Sequence, residues 1–72
     1  MENTRIKDEI MQMARKDGQL LVAICDNQKR HFGTIQRWFY QGSPMLLNVD
    51  VLNIIANHYG KDVNEITEKS NA

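Results

Sequence analysis

The chain has little of what staples a small protein together or strings it out. It contains one cysteine, so no disulfide can form within it, and a 72-residue fold must draw its stability from packed elements or from a second subunit. A lone thiol also suits a reducing compartment. The single proline, Pro44, and the lack of any repeat or low-complexity tract exclude a proline-rich linker and a repeat array. The longest unbroken apolar run, Leu20 to Cys25, is far too short to span a bilayer, and the start of the chain is polar with no hydrophobic signal core. These absences predict one soluble, cytoplasmic domain over residues 1–72.

Net charge is lacking too. Nine basic residues cancel nine acidic ones, which argues against a uniformly basic coat for nucleic acid. The distribution is uneven, however. Residues 1–27 carry four basic and five acidic groups, residues 28–44 carry three basic and none acidic, and residues 45–72 carry two basic and four acidic. Positive charge confined to the middle, between acidic flanks, suggests a small directed contact surface.

Catalytic equipment is equally sparse. One cysteine, two histidines, no clustered carboxylates and no glycine-rich phosphate loop predict no enzyme and no cofactor. Cys25, His31 and His58 have no recognised ligand spacing, so no metal is expected. Cys25 reads as a small buried apolar residue, and Met11 and Met13 as core filling.

What is present is helical periodicity, and it predicts an all-α bundle of five short helices. From an N-cap at Asn3 or Thr4, residues Ile6, Ile10, Met13 and Ala14 share one face of a helix over about 4–17, with Arg15 among its solvated charges and Asp17-Gly18 as its stop. A second helix over about 19–28 buries Leu20, Leu21, Ile24 and Cys25, with Ala23 allowing close helix approach. The rival strand reading of Leu20–Cys25 has no second strand-like run to pair with. A third helix runs over about 32–41 and stops at Gly42-Ser43-Pro44, and a loop continues through Met45 and Leu46. A fourth, over about 49–59, is capped by Asn48 or Asp50 and ends at Gly60. Its residues Val51, Leu52, Ile54, Ile55, Ala56 and Tyr59 make it the core helix. Asp62-Val63-Asn64-Glu65 has the form of a capping box and opens a last helix over about 63–69, with Ser70-Asn71-Ala72 fraying.

The stretch from Gln28 to Gln41 says most about function. At about 100° per residue, Phe32, Ile35, Trp38 and Phe39 fall in one apolar sector, while Gly33, Arg37 and Tyr40 point the other way, flanked by Thr34, Gln36 and Gln41. Lys29, Arg30 and His31 precede the helix, where its dipole already favours phosphate. Gly33 permits close approach. Arg37 can offer a two-pronged donor to guanine, Gln36 can pair with adenine, and Thr34 can touch a thymine methyl or a phosphate.

Helix, short helix, turn, aromatic-anchored helix, loop and core helix is also the order of the phage repressor and Cro type of helix-turn-helix domain, which residues 4–68 resemble. The sharpest likeness is Thr34-Ile35-Gln36-Arg37-Trp38, similar to the family's recognition helix, in which the apolar residue and the tryptophan hold the helix to the core. Gly60-Lys61-Asp62-Val63-Asn64-Glu65-Ile66 is similar to the family's closing turn, and Cys25 stands where the family keeps a small residue. Gln28, Lys29, Arg30 and His31 depart from the family's apolar residue, glycine or asparagine, apolar residue and serine cap, which makes this turn more basic.

The resemblance implies a lambda-repressor-like fold and a sequence-specific regulator of double-stranded DNA. In it Lys29, Arg30 and His31 would meet phosphates, Phe32, Gly33, Thr34, Gln36 and Arg37 would face base edges or sugars, and Tyr40 and Gln41 would reach the backbone farther along. It also implies a homodimer, with helix five or the apolar part of helix four as the seam. The alternative is a protein-interaction module that reuses the frame, gripping its partner through Phe32, Tyr40, Met45 and Leu46.

Overall fold

The computed structural model describes residues 2–71, and the side chains of residues 4–69. The chain is mostly helical, with five helices and a small two-stranded sheet. The order is β1 (Glu2–Ile6), α1 (Asp8–Ala14), α2 (Gly18–Gln28), α3 (Phe32–Gln41), a 3-10 turn (Pro44–Leu47), α4 (Val49–Tyr59), α5 (Val63–Ile66) and β2 (Thr67–Asn71).

The sheet corrects the all-α expectation at both ends. β1 and β2 pair antiparallel in the register Glu2↔Asn71, Asn3↔Ser70, Thr4↔Lys69, Arg5↔Glu68 and Ile6↔Thr67. Residues 4–7 are therefore not the first turn of a helix. Neither Asn3 nor Thr4 caps one, and α1 begins only at Asp8 after an N-cap, Lys7, whose side chain makes no capping bond. The last helix stops at Ile66 rather than running to 69, because Thr67 turns extended and its hydroxyl donates to the Val63 carbonyl at 2.9 Å. Residues 70 and 71, expected to fray, lie in β2, and Ala72 lies outside the described residues. Strand pairing wins at the ends because it satisfies backbone groups of both segments at once, and the ladder continues through Lys7 N–H to the Ile66 carbonyl at 2.9 Å. Arg5 and Glu68, opposite each other in that ladder, form a 3.5 Å ion pair too exposed to add much.

The middle of the chain follows its helical pattern. Gly42 and Gly60, at φ of 64° and 65°, take the left-handed conformation that ends α3 and α4. Asn48, not Asp50, caps α4, its Oδ1 accepting the Asp50 N–H at 2.8 Å. Asp62 N–H donates to Glu65 Oε1 at 3.0 Å in the capping box of α5. Gly18, expected as a stop, instead opens α2 without a positive φ.

The core is Ile6, Ile10, Ala14, Leu20, Leu21, Ile24, Ile35, Trp38, Phe39, Leu46, Val51, Ile55, Ala56 and Ile66, so every element except β2 buries at least one apolar side chain in it. Three burial expectations fail in this frame, besides those for Cys25 and Phe32 in the α2–α3 region. Met13 is 47% exposed, because the inward face of α1 is confined to Ile10 and Ala14. Ala23 is exposed and brings no helix close. Leu46, expected in a surface patch, is 2% exposed, because the 3-10 turn folds it under α3 and α4.

Asp17 ties the frame together. Its Oδ1 accepts the Leu20 N–H at 3.2 Å as the N-cap of α2, and its Oδ2 accepts from His58 Nε2 at 2.8 Å and Tyr59 OH at 3.2 Å at the far end of α4. Burial pushes its carboxyl up, but the His58 bond, the Leu20 N–H, the His58 charge and the Tyr59 hydroxyl together hold it below its ordinary 3.8. Tyr59 is in turn pushed up to about 12 by burial and by the charge of Asp17. Because the folded value of Asp17 is depressed, its contribution is fully present above the unfolded value and is lost as pH falls through the folded one. Asp17→Asn keeps a capping oxygen but loses the carboxylate that faces His58 and Tyr59, and is expected to lower stability by about 1 kcal/mol at neutral pH. In acid titrations followed by circular dichroism the difference from wild type should shrink below pH 3.8.

Candidate nucleic-acid interface

α2, a three-residue connection and α3 form the candidate site, and the backbone of the connection is specific. The carbonyl of Cys25 accepts both the Lys29 and Arg30 N–H groups, which closes α2 and turns the chain. Lys29 achieves this at φ 55°, the one positive φ on a non-glycine residue among the described residues. His31 then lies extended, and its carbonyl accepts the N–H groups of Thr34 at 3.0 Å and Ile35 at 3.2 Å. No side chain caps α3, so the first N–H groups of this helix lack a side-chain acceptor.

The inner face of α3 holds Ile35 at 0%, Phe39 at 3% and Trp38 at 8% exposure. Phe32, expected with them, is 43% exposed, because at the first position of the helix it lies beyond the reach of the core. Gly33, Arg37, Tyr40 and Gln41 are exposed on the outer side, and Thr34 and Gln36 are half-buried at its flanks. A Cβ built on Gly33 would meet nothing, so its bareness serves no contact inside the protein. Lys29, Arg30 and His31 are exposed. Among the described residues neither ion pair involves Lys29, Arg30 or Arg37, which leaves these three cations without an acidic partner.

The site includes one residue that sequence periodicity assigns elsewhere. Arg15, expected on a solvated face, is half-buried at the end of α1, and its guanidinium carbon stands 5.0 Å from the ring centre of Tyr40. Nothing local signals this contact, since the two residues are 25 positions apart and meet only because α1 packs on α3.

Other chemistry is thin. Cys25 is half-buried rather than buried, and burial pushes its thiol up, away from the reactive thiolate. His58 is taken by Asp17, and no group of three or more His, Cys, Asp or Glu side chains among the described residues could hold a metal. Among the same residues no helix is long and apolar enough to cross a membrane. Compared with family models, curated proteins and solved structures, the chain matches none.

Lys29 offers a test of what the turn is for. A left-handed lysine costs on the order of 1 kcal/mol relative to glycine. Lys29→Gly is therefore expected to raise the thermal midpoint by about 4–8 °C. If the lysine meets phosphate, the same variant should bind every duplex more weakly, with no change in sequence preference.

Proposed function

We propose that this protein is a sequence-specific double-stranded DNA-binding transcriptional regulator of the repressor and Cro type, possessing a lambda-repressor-like fold and reading the major groove with α3. The observation that carries this reading is the two-sidedness of α3. Ile35, Trp38 and Phe39 fix the helix to the core, while Gly33, Arg37, Tyr40 and Gln41 face solvent beside the unpaired Lys29 and Arg30. A helix held from behind and polar in front can enter a groove as a rigid body, with the turn cations and the uncapped N–H groups on phosphate and Arg37 and Gln36 on base edges. The left-handed residue at position 29 supports the same frame, since it stands where the family keeps a glycine or asparagine. A single small module contacts little DNA, so the regulator acts as a homodimer on a two-fold site.

A second reading is favoured by one observation: Phe32, Tyr40 and Met45 are 43%, 58% and 46% exposed. With Leu46 buried, those three are what remains of the apolar patch a protein partner would grip. Selection from random duplexes with the purified chain, followed by binding at rising salt, separates the two. The regulator should enrich a two-fold sequence and lose affinity steeply with salt. Failure to enrich any sequence, with no retention on duplex DNA at low salt, would leave the interaction module.

A further inference from the structure

The Arg15 guanidinium is set up like a contact that lacks its other half. Its Nε is the one buried side-chain nitrogen or oxygen without a hydrogen-bond partner among the described residues, so part of the group has already been stripped of water. Its two terminal nitrogens make no hydrogen bond or ion pair within the protein, and neither is fully sealed from solvent. The group stands against the exposed Tyr40 ring, on the outer side of α3. Stacking narrows the rotamers of a long side chain before any ligand arrives, and partial desolvation strengthens its attraction for an anion. A planar guanidinium with its terminal nitrogens free and its stem fixed suits two oxygens of a phosphate.

We infer that Arg15 is a phosphate-binding residue, held by Tyr40 so that its terminal nitrogens meet a backbone phosphodiester of a duplex lying along α3. This extends the interface from the α2–α3 turn to the end of α1 and adds a fourth cation to Lys29, Arg30 and Arg37. It rests on the reading of α3 as a DNA-contacting helix. A phosphate contact carries no sequence information, so its removal should weaken all duplexes alike, unlike removal of a base contact.

The test uses the full chain with a duplex enriched by random selection and a scrambled duplex of the same length, each measured across a salt series. Arg15→Met keeps an apolar stem against Tyr40 and removes the charge. It is expected to lower affinity for both duplexes by the same factor, on the order of tenfold, and to make the salt dependence shallower by about one phosphate. Arg15→Lys, which keeps the charge but loses the planar fork, should recover the salt dependence and only part of the affinity. Unchanged affinity and salt slope in Arg15→Met, while Arg37→Ala loses discrimination, would overturn the role of Arg15 and leave the DNA reading standing. Loss confined to the enriched duplex would also overturn it, since that is the signature of a base contact. A wild-type chain that binds neither duplex would overturn both.

Discussion

Trp38→Ala is expected to leave the domain largely unfolded at 37 °C, with the thermal midpoint lowered by about 15 °C or more in a circular dichroism melt. Trp38 is 8% exposed and sits on the inner face of α3 beside Ile35 and Phe39. Truncating a buried tryptophan costs about 3–5 kcal/mol, because the lost transfer energy is compounded by a cavity that the neighbours fill only in part. A 72-residue domain has roughly 4–11 kcal/mol in all, by the usual stability per residue. The one cysteine forms no disulfide that could limit the loss. Trp38→Phe, which keeps an aromatic in the same space, should lose far less. A Trp38→Ala chain melting within a few degrees of wild type would show that α3 is anchored by something else.

The anchoring of α3 was legible in the sequence because it is local. Ile35, Trp38 and Phe39 share a face by spacing alone, and Gly42 with Pro44 marks where the helix must stop, so the predicted span 32–41 and the observed one coincide. The fourth helix was legible for the same reason, from Asn48 to Gly60. The ends were not. Ile6 fits a helical repeat with Ile10 and Ala14 as well as it fits a strand, and only a partner 61 positions away at Thr67 decides between them. No window of the sequence contains both. The burial of Leu46 is not legible in the sequence, because a 3-10 turn has no apolar period to betray which side faces the core.

The candidate site divides along the same line. Residues that belong to one element or one turn, from Lys29 to Gln41, could be placed inward or outward from spacing, with Phe32 the exception because a helix terminus lacks neighbours on one side. Arg15 reaches the site across a helix-helix packing contact, and its local context, mixed charges around a short helix, resembles any wet face. Its half-burial and its stack on Tyr40 are tertiary facts.

Arg37→Ala carries the second large effect, and it separates reading from folding. Arg37 is exposed, forms no ion pair with any described residue, and lies on the side of α3 away from the core, so its removal should leave the thermal midpoint within about 2 °C of wild type. On DNA the same change is expected to remove a bidentate contact to a base edge, worth about 1–3 kcal/mol of discrimination. That corresponds to a loss of roughly fivefold to 150-fold in the preference for an enriched duplex over a scrambled one. Affinity for the scrambled duplex should fall much less, by the loss of one charge alone. The contrast with Arg15→Met and Lys29→Gly, which should weaken both duplexes in parallel, makes the set informative as a whole. Base reading needs a side chain whose geometry matters at one step of the groove, whereas phosphate contact needs only a cation held in place. If Arg37→Ala keeps the full preference, the face of α3 that carries Gly33 and Arg37 does not read sequence, and any selectivity must come from the shape of the duplex at the turn.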